Sequence, residues 1–257
     1  MKRLFVDPRY RHTFAAQGWT EFDRVFSHFF PDYGRRVRVM VKPVVIPTPD
    51  GEAAAFFKFY HLQSRSWSFC LRLSKSRREF ENYAVFQRLG ISAAEPIAWG
   101  DERGFLRRLL RNFIITRAVP DACELDDYLA AAPGRAYRDL LRRDLASMVR
   151  RMHSAGFYHH DLVARNVLVS CADAGRPRLF LIDCPRGAFA SFGGRRKALR
   201  DLASLDKSAV RCCSRTERLR FLLEYLGKTH PDAEARALAR ACLHYRRSRW
   251  PEDWKGR

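Results

Sequence analysis

Apolar residues recur every three or four positions at Phe80, Tyr83, Phe86 and Leu89, and Gly90 follows them. This spacing predicts a helix from about Lys75 to Leu89 with the glycine as its stop. Leu141, Leu145, Met148 and Met152 lie at i, i+4, i+7 and i+11, which places them on one face of a second helix ending at Gly156. Upstream the period changes. Val37 to Val45 alternates loosely around Arg38 and Lys42, Pro47-Thr48-Pro49-Asp50-Gly51 reads as a turn, and Ala53 to Tyr60 returns as a strand. The predicted hairpin carries Lys58 near its end. Phe113 to Thr116 is a short apolar strand, and Val167 to Val169 with Leu179 to Ile182 form a hairpin-like pair joined through Gly175 and Pro177. Three further helices are expected, at about Arg195 to Val210, Thr216 to Leu226 with Gly227 as stop, and Asp232 to Arg246.

A β-rich start followed by a helical remainder predicts an α+β protein of two lobes. The boundary falls near residues 117–122, giving a β-rich lobe over 1–118 and a helical lobe over 119–257. Neither an internal repeat nor a low-complexity linker interrupts this pattern. With 47% apolar residues in 257, the chain can bury a substantial core. No apolar run approaches the length of a membrane span. The opening Met1-Lys2-Arg3-Leu4-Phe5-Val6-Asp7-Pro8 lacks the apolar segment of a signal peptide, so a cytosolic protein is expected. Seven cysteines form neither a CxxC nor a Cys/His ligand spacing and read as reduced, structural thiols.

Charge changes the picture. Forty-eight basic residues against 28 acidic ones give a net charge of +20, dispersed in short clusters such as Arg142-Arg143 and Arg195-Arg196-Lys197. An anionic partner is implied, whether nucleic acid, anionic lipid or a phosphorylated substrate. Charge alone does not choose among them.

The segment Tyr158-His159-His160-Asp161-Leu162-Val163-Ala164-Arg165-Asn166, followed by Leu181-Ile182-Asp183, is more specific. It sets an aspartate, an asparagine five residues on, and a second aspartate after an apolar strand. Phosphoryl transfer requires this kind of oxygen array, because its catalysis is mostly positioning and charge neutralisation. Asp161 suits the base that orients a hydroxyl, while Asn166 and Asp183 offer the hard oxygens that Mg²⁺ takes. Singly, each also reads as a cap or turn residue. Lys58, ending its strand, suits the α/β-phosphates of ATP, and Glu79 suits its ion-pair partner. Glu81 competes for that place but lies about 200° around the helix, so only one of the two faces Lys58.

These residues resemble the lipopolysaccharide kinases of Gram-negative bacteria, the Kdo/heptose kinase (InaA/WaaP-like) group related to protein kinases. The matching pieces are Phe56-Phe57-Lys58-Phe59-Tyr60, Ser76-Arg77-Arg78-Glu79-Phe80, Leu89-Gly90-Ile91 with Pro96, His159-His160-Asp161-Leu162 with Asn166, Leu181-Ile182-Asp183 with Arg186, and Arg200-Asp201-Leu202-Ala203-Ser204-Leu205. The resemblance implies a two-lobed kinase-like fold, with Lys58 and Glu79 serving ATP, Asp161 as base, and Asn166 and Asp183 holding Mg²⁺. It implies ATP-dependent phosphorylation of an inner-core sugar, heptose or Kdo, at the cytoplasmic face of the inner membrane. Two departures stand out. No GxGxxG precedes Lys58, where Pro31-Asp32-Tyr33-Gly34 and Asp50-Gly51 are the nearby turn signals, and Asp183 is followed by Cys184-Pro185-Arg186-Gly187 rather than Phe-Gly.

The loop Asp161-Leu162-Val163-Ala164-Arg165-Asn166 also looks like that of protein tyrosine kinases. Against a peptide substrate stands the short stretch between Asp183 and the helix near Arg195, which has no Ala-Pro-Glu-like anchor. The 74 residues after Asp183 are also few for the helices beneath a peptide platform. A small molecule or exposed sugar is therefore expected as acceptor: a sugar of the lipopolysaccharide core on lipid A, met at an anionic membrane surface, with no nucleic acid as partner. The alternatives are another kinase of the same fold or a non-catalytic basic binding module. The C-terminal Tyr245 to Lys255 interleaves tryptophan with basic residues, suiting either a headgroup interface or packing onto the helical lobe. His159 is expected to be a buried residue steadying its loop.

Overall fold

The computed structural model describes residues 1–30, 39–61, 73–172 and 176–251. Two compact units divide the chain: Met1–Val85 with Ala94–Ala118, and Phe86–Ala93 with Val119–Arg257.

In chain order the first unit contains β1 (Lys2–Val6), α1 (Arg11–Ala16), α2 (Phe22–Phe29), β2 (Val39–Thr48), β3 (Gly51–His61), the start of α3 (Lys75–Arg88), β4 (Pro96–Arg103) and β5 (Leu109–Arg117). The strands make an antiparallel sheet in the order β1-β4-β5-β3-β2. β2 lies at the edge, which is where a strand holding Pro43 and Pro47 loses no ladder bond. Successive side chains of a strand point to opposite faces. Phe57 and Phe59 of β3, with Phe113 and Ile115 of β5, are buried on one face against Phe14, Trp19, Phe22, Phe26 and Phe29. Lys58 faces the other way.

Residues 1–30 hold more structure than the β-rich reading of this region expects. Phe22, Val25, Phe26 and Phe29 do fall at i, i+3, i+4 and i+7 and form the buried stripe of α2. Their burial comes from the aromatic sheet face that they cover, with Phe22 5.3 Å from Phe113 and Phe26 5.3 Å from Phe59 between ring centroids.

The second unit contains β6 (Ala122–Glu124), α4 (Leu125–Ala130), α5 (Arg135–Ser154), β7 (Phe157–Tyr158), β8 (Val167–Ser170), β9 (Arg178–Leu181), β10 (Ala188–Phe189), α6 (Gly194–Ala209), α7 (Arg215–Leu226) and α8 (Ala233–Arg249). Strands β6, β8 and β9 form one small sheet, and β7 pairs with β10. Leu141, Leu145, Met148 and Met152 are buried on α5. Phe86–Ala93 falls in this unit, so a single cut near residue 118 misplaces it. The cause is local bonding: the Ser92 carbonyl accepts from Leu181 N at 2.9 Å, the Gly90 carbonyl accepts from Arg151 at 2.9 Å, and Phe86 packs edge-on against Phe157. Among the described residues no helix is long and apolar enough to cross a membrane.

Two stability results are expected. A Cβ on Gly100 would lie 2.5 Å from Phe113 Cε1 and 2.7 Å from Phe22 Cδ2. Gly100→Ala therefore overpacks this aromatic core and lowers stability by about 1–3 kcal/mol, read by denaturant unfolding. At the start of α7, Glu217 completes a capping box with Ser214 and accepts from Arg138 Nε at 2.7 Å. The Arg138 hydrogen bond and the Ser214 contacts pull the Glu217 carboxyl down to about 2 from its usual 4.5. A depressed carboxylate contributes stability that is present above pH 4.5 and lost as pH falls toward 2. The melting temperature of Glu217→Gln should lie below wild type at about pH 7 and converge with it only as the pH falls to about 2.

Candidate functional site

In the first unit, β3 carries Lys58 on the sheet face opposite the aromatic core. Its Nζ lies 3.4 Å from Glu79 Oε1, and both side chains are largely buried. A carboxylate taken out of water needs several partners to offset its lost hydration. Glu79, only 2% exposed, has them: Tyr60 donates its hydroxyl to Oε2 at 2.9 Å, and the Tyr83 hydroxyl lies 3.5 Å from Oε1. The Tyr60 ring also lies under the Lys58 and Lys75 ammonium groups, at 5.4 and 5.2 Å. Glu81 points away and pairs with Arg77 at 2.8 Å. The helical offset between the two acids thus separates them, with Glu79 inside and Glu81 on the surface.

The ladder register puts Val41 opposite Lys58 and Pro43 opposite Phe56, all on the same sheet face. Val41 and Phe56 are exposed. An apolar strip beside a tethered ammonium can receive a flat ring whose phosphates reach the lysine. The β2–β3 turn is only Pro49-Asp50, whereas Pro31 to Gly34 lies outside the described residues.

In the second unit, Asp161 and Asn166 sit on the loop between β7 and β8, and Asp183 follows β9. Antiparallel β8–β9 pairing brings the ends of this array together, and Ile182 N donates to the Asn166 carbonyl at 3.0 Å. Asn166 Nδ2 donates to the Asp161 carbonyl at 2.8 Å. This bond directs the amide and leaves Oδ1 without a protein donor among the described residues. Asn166 Oδ1 and the half-buried Asp183 carboxylate are both hard oxygens of the kind that Mg²⁺ takes. His160 (φ 65°) and Asp183 (φ 55°) both occupy the left-handed region. Such strain persists only where the surroundings over-determine it.

Asp201 of α6 is what over-determines His160. Fully buried, it accepts the backbone N–H groups of His159 and His160 at 2.8 Å each and lies 3.3 Å from His153 Nε2. The His159 side chain stacks on Phe86 and is completely buried. Burial pushes its imidazole pKa down although Asp201, Asp161 and Asp183 pull it up. It fills space as a neutral ring. Asp201 and Tyr60 carry roles that motif reading did not assign. The available signal was an acid on the apolar stripe of a helix, since Asp201 lies four residues before the buried Leu205.

Asp161 and His160 line a cavity of about 630 Å³ in the second unit. Its wall is cationic, with Arg165, Arg186, Arg200, Lys207, Arg211 and Arg249 and only Asp126 and Asp161 as acids; Arg246 pairs with Asp206, which Arg218 also holds. Trp250 lines it too, edge-on to Tyr245 and 4.8 Å from Lys207 Nζ. The first tryptophan of the C-terminal segment therefore packs on the fold, while residues 252–257 lie outside the described residues.

An antiparallel sheet with a lysine–glutamate pair, and a helical unit with an Asp/Asn/Asp oxygen array, define a protein of the protein-kinase-like fold. A solved structure, WaaP in complex with acyl carrier protein, matches 98% of this chain and 100% of that one with a TM-score of 0.67 at 21% identity, a likeness of fold. The chain belongs to the lipopolysaccharide kinase (Kdo/WaaP) family, whose profile matches residues 58–234. It is 27% identical over 158 residues to the lipopolysaccharide core heptose(I) kinase WaaP of Escherichia coli strain K12, covering 58% of this chain and 59% of that protein. A second Escherichia coli WaaP is 27% identical over 140 residues, 52% of each chain. The chain thus spans between half and three-fifths of these curated relatives.

Replacing Asp201 by Asn keeps the shape but turns one acceptor into a donor facing a backbone N–H. Asp201→Asn should lose about 1–3 kcal/mol in urea unfolding, the cost of a buried donor left without its acceptor.

Proposed function

We propose that this protein is an ATP-dependent kinase that phosphorylates a sugar hydroxyl, of heptose or Kdo, in the lipopolysaccharide inner core at the cytoplasmic face of the membrane. The observation that carries the reading is the cationic cavity with Asp161 in its wall. An acceptor bearing carboxylates or phosphates fits this lining, and Trp250 offers an aromatic face for a sugar ring. Family membership and the two WaaP relatives support the same substrate class. A peptide needs no such concentration of like charge, which places a protein substrate second.

In this mechanism Lys58, held by Glu79, grips the α/β-phosphates, and the strip around Val41 and Phe56 receives the base. Asn166 and Asp183 would hold Mg²⁺, whose charge offsets that of the phosphates. Asp161 accepts a hydrogen bond from the acceptor hydroxyl, orients it toward the γ-phosphorus and takes its proton as the new O–P bond forms, while the bond from the γ-phosphorus to the β,γ-bridging oxygen breaks and ADP leaves. Arg200, Lys207 and neighbours bind the anionic groups flanking that sugar and set its register. Asp201 positions Asp161 by holding the backbone just before it.

The test is transfer of labelled phosphate from Mg-ATP to dephosphorylated lipopolysaccharide core. Asp161→Asn should lower kcat about 10²- to 10⁴-fold with little change in the KM for ATP. Arg200→Ala with Lys207→Ala should raise the KM for the sugar acceptor and leave that for ATP unchanged. Label appearing only on protein would overturn the assignment.

A further inference from the structure

Phe192 is 88% exposed and Phe189 58% exposed, the former among the most exposed large apolar side chains of the described residues. They stand three residues apart, Phe189 at the end of β10 and Phe192 in the turn before α6. Isolated exposed phenylalanines are ordinary. These two precede Arg195, Arg196 and Lys197 on the first turn of α6, where Arg195 and Arg196 are exposed and form no ion pair among the described residues. Two phenyl rings and three cations thus share one tip.

The tip is also held rather than loose. Phe189 is edge-on to Phe157 at 5.2 Å, Ala190 N donates to the Gly156 carbonyl at 3.0 Å, and Lys197 Nζ donates to the Phe192 carbonyl at 3.2 Å. Gly193 turns the chain at φ 70°, and a Cβ on Gly194 would lie 2.5 Å from Tyr158 Oη. The fold therefore anchors a segment that leaves Phe192 in solvent and Phe189 more than half exposed. At 88% exposure Phe192 gains little from packing among the described residues.

We infer that this tip docks the protein on an anionic lipid bilayer, with Phe189 and Phe192 entering the headgroup–acyl boundary and Arg195, Arg196 and Lys197 binding lipid phosphates. Aromatic insertion beside a basic cluster is the chemistry of peripheral membrane binding. The tip continues into the acceptor cavity along the same helix: Lys197, Arg200, Ser204 and Lys207 fall at i, i+3, i+7 and i+10 on one face of α6, about 15 Å of helix. An acceptor rooted in the bilayer would meet that cavity close to the lipid surface. This last step rests on the proposed kinase activity, whereas the docking itself does not.

The experiment is sedimentation with sucrose-loaded vesicles, without ATP, comparing phosphatidylethanolamine/phosphatidylglycerol (roughly 3:1) with phosphatidylcholine. Wild type should bind the anionic vesicles at least tenfold more tightly. Phe192→Ser and, separately, Arg195→Ala with Arg196→Ala should each weaken that binding at least tenfold, with turnover of a water-soluble core oligosaccharide unchanged. Phe192→Trp should add fluorescence that shifts to the blue and is quenched by brominated phosphatidylglycerol. Wild-type binding by Phe192→Ser, or an unshifted indole signal from the Phe192→Trp variant, would overturn the inference and leave a merely basic surface. Vesicle binding without phosphate transfer would sink the kinase reading alone, and transfer without vesicle binding would sink the docking alone.

Discussion

A single buried carboxylate holds the chemistry of the second unit in place. Asp201 accepts two consecutive backbone N–H groups, at His159 and His160, and fixes the chain immediately before Asp161. Those donors sit where no ladder or helix satisfies them, so an external acceptor is required. The left-handed conformation of His160 is tolerated only because of it. Around this clamp the β7–β8 loop, the β8–β9 pair and α6 become one assembly, and Asp161, Asn166 and Asp183 inherit their positions from it. Removing charge at Asp201 acts on all three at once, through the backbone that carries them.

The first unit solves a similar problem by a different route. There the buried carboxylate is Glu79, and its partners are side chains: Lys58 at 3.4 Å and Tyr60 at 2.9 Å. Tyr60 serves both halves of the pair, since its hydroxyl satisfies the acid while its ring lies beneath the ammonium. An ion pair of this kind is weak support for stability, because desolvation offsets much of the attraction. Its value lies in holding an ammonium in a defined place on the sheet face, beside the exposed apolar Val41 and Phe56. The aromatic core on the reverse face, where α1 and α2 pack, supplies the rigidity that the pair does not.

Charge is distributed in a way that the net +20 conceals. Several arginines are committed to structural ties, such as Arg138 to Glu217, Arg142 to Glu224 and Arg246 to Asp206. Other cations gather along α6, in the cavity beside Asp161 and at the tip near Phe192. Pairing inside and surplus on one helix give a surface selective for anions next to the proposed base.

Spacing along the chain was enough to find the long helices and the β2–β3 and β8–β9 hairpins, and to nominate the four residues proposed to serve ATP and metal together with the proposed base, because each rests on a local period or a fixed offset. Glu79 was separable from Glu81 only as a choice between two helix faces, and the fold made that choice by burying one of them. α1, α2 and β4 escaped because their stability derives from covering or completing a sheet assembled from distant segments. The clamp by Asp201, the support of Tyr60, and the gathering of Arg186, Arg200, Lys207 and Trp250 around one cavity join residues far apart in the chain. A one-dimensional pattern records which side chains are present at which interval; long-range hydrogen bonds and shared cavities exist only once the loop closures that unite them have been made.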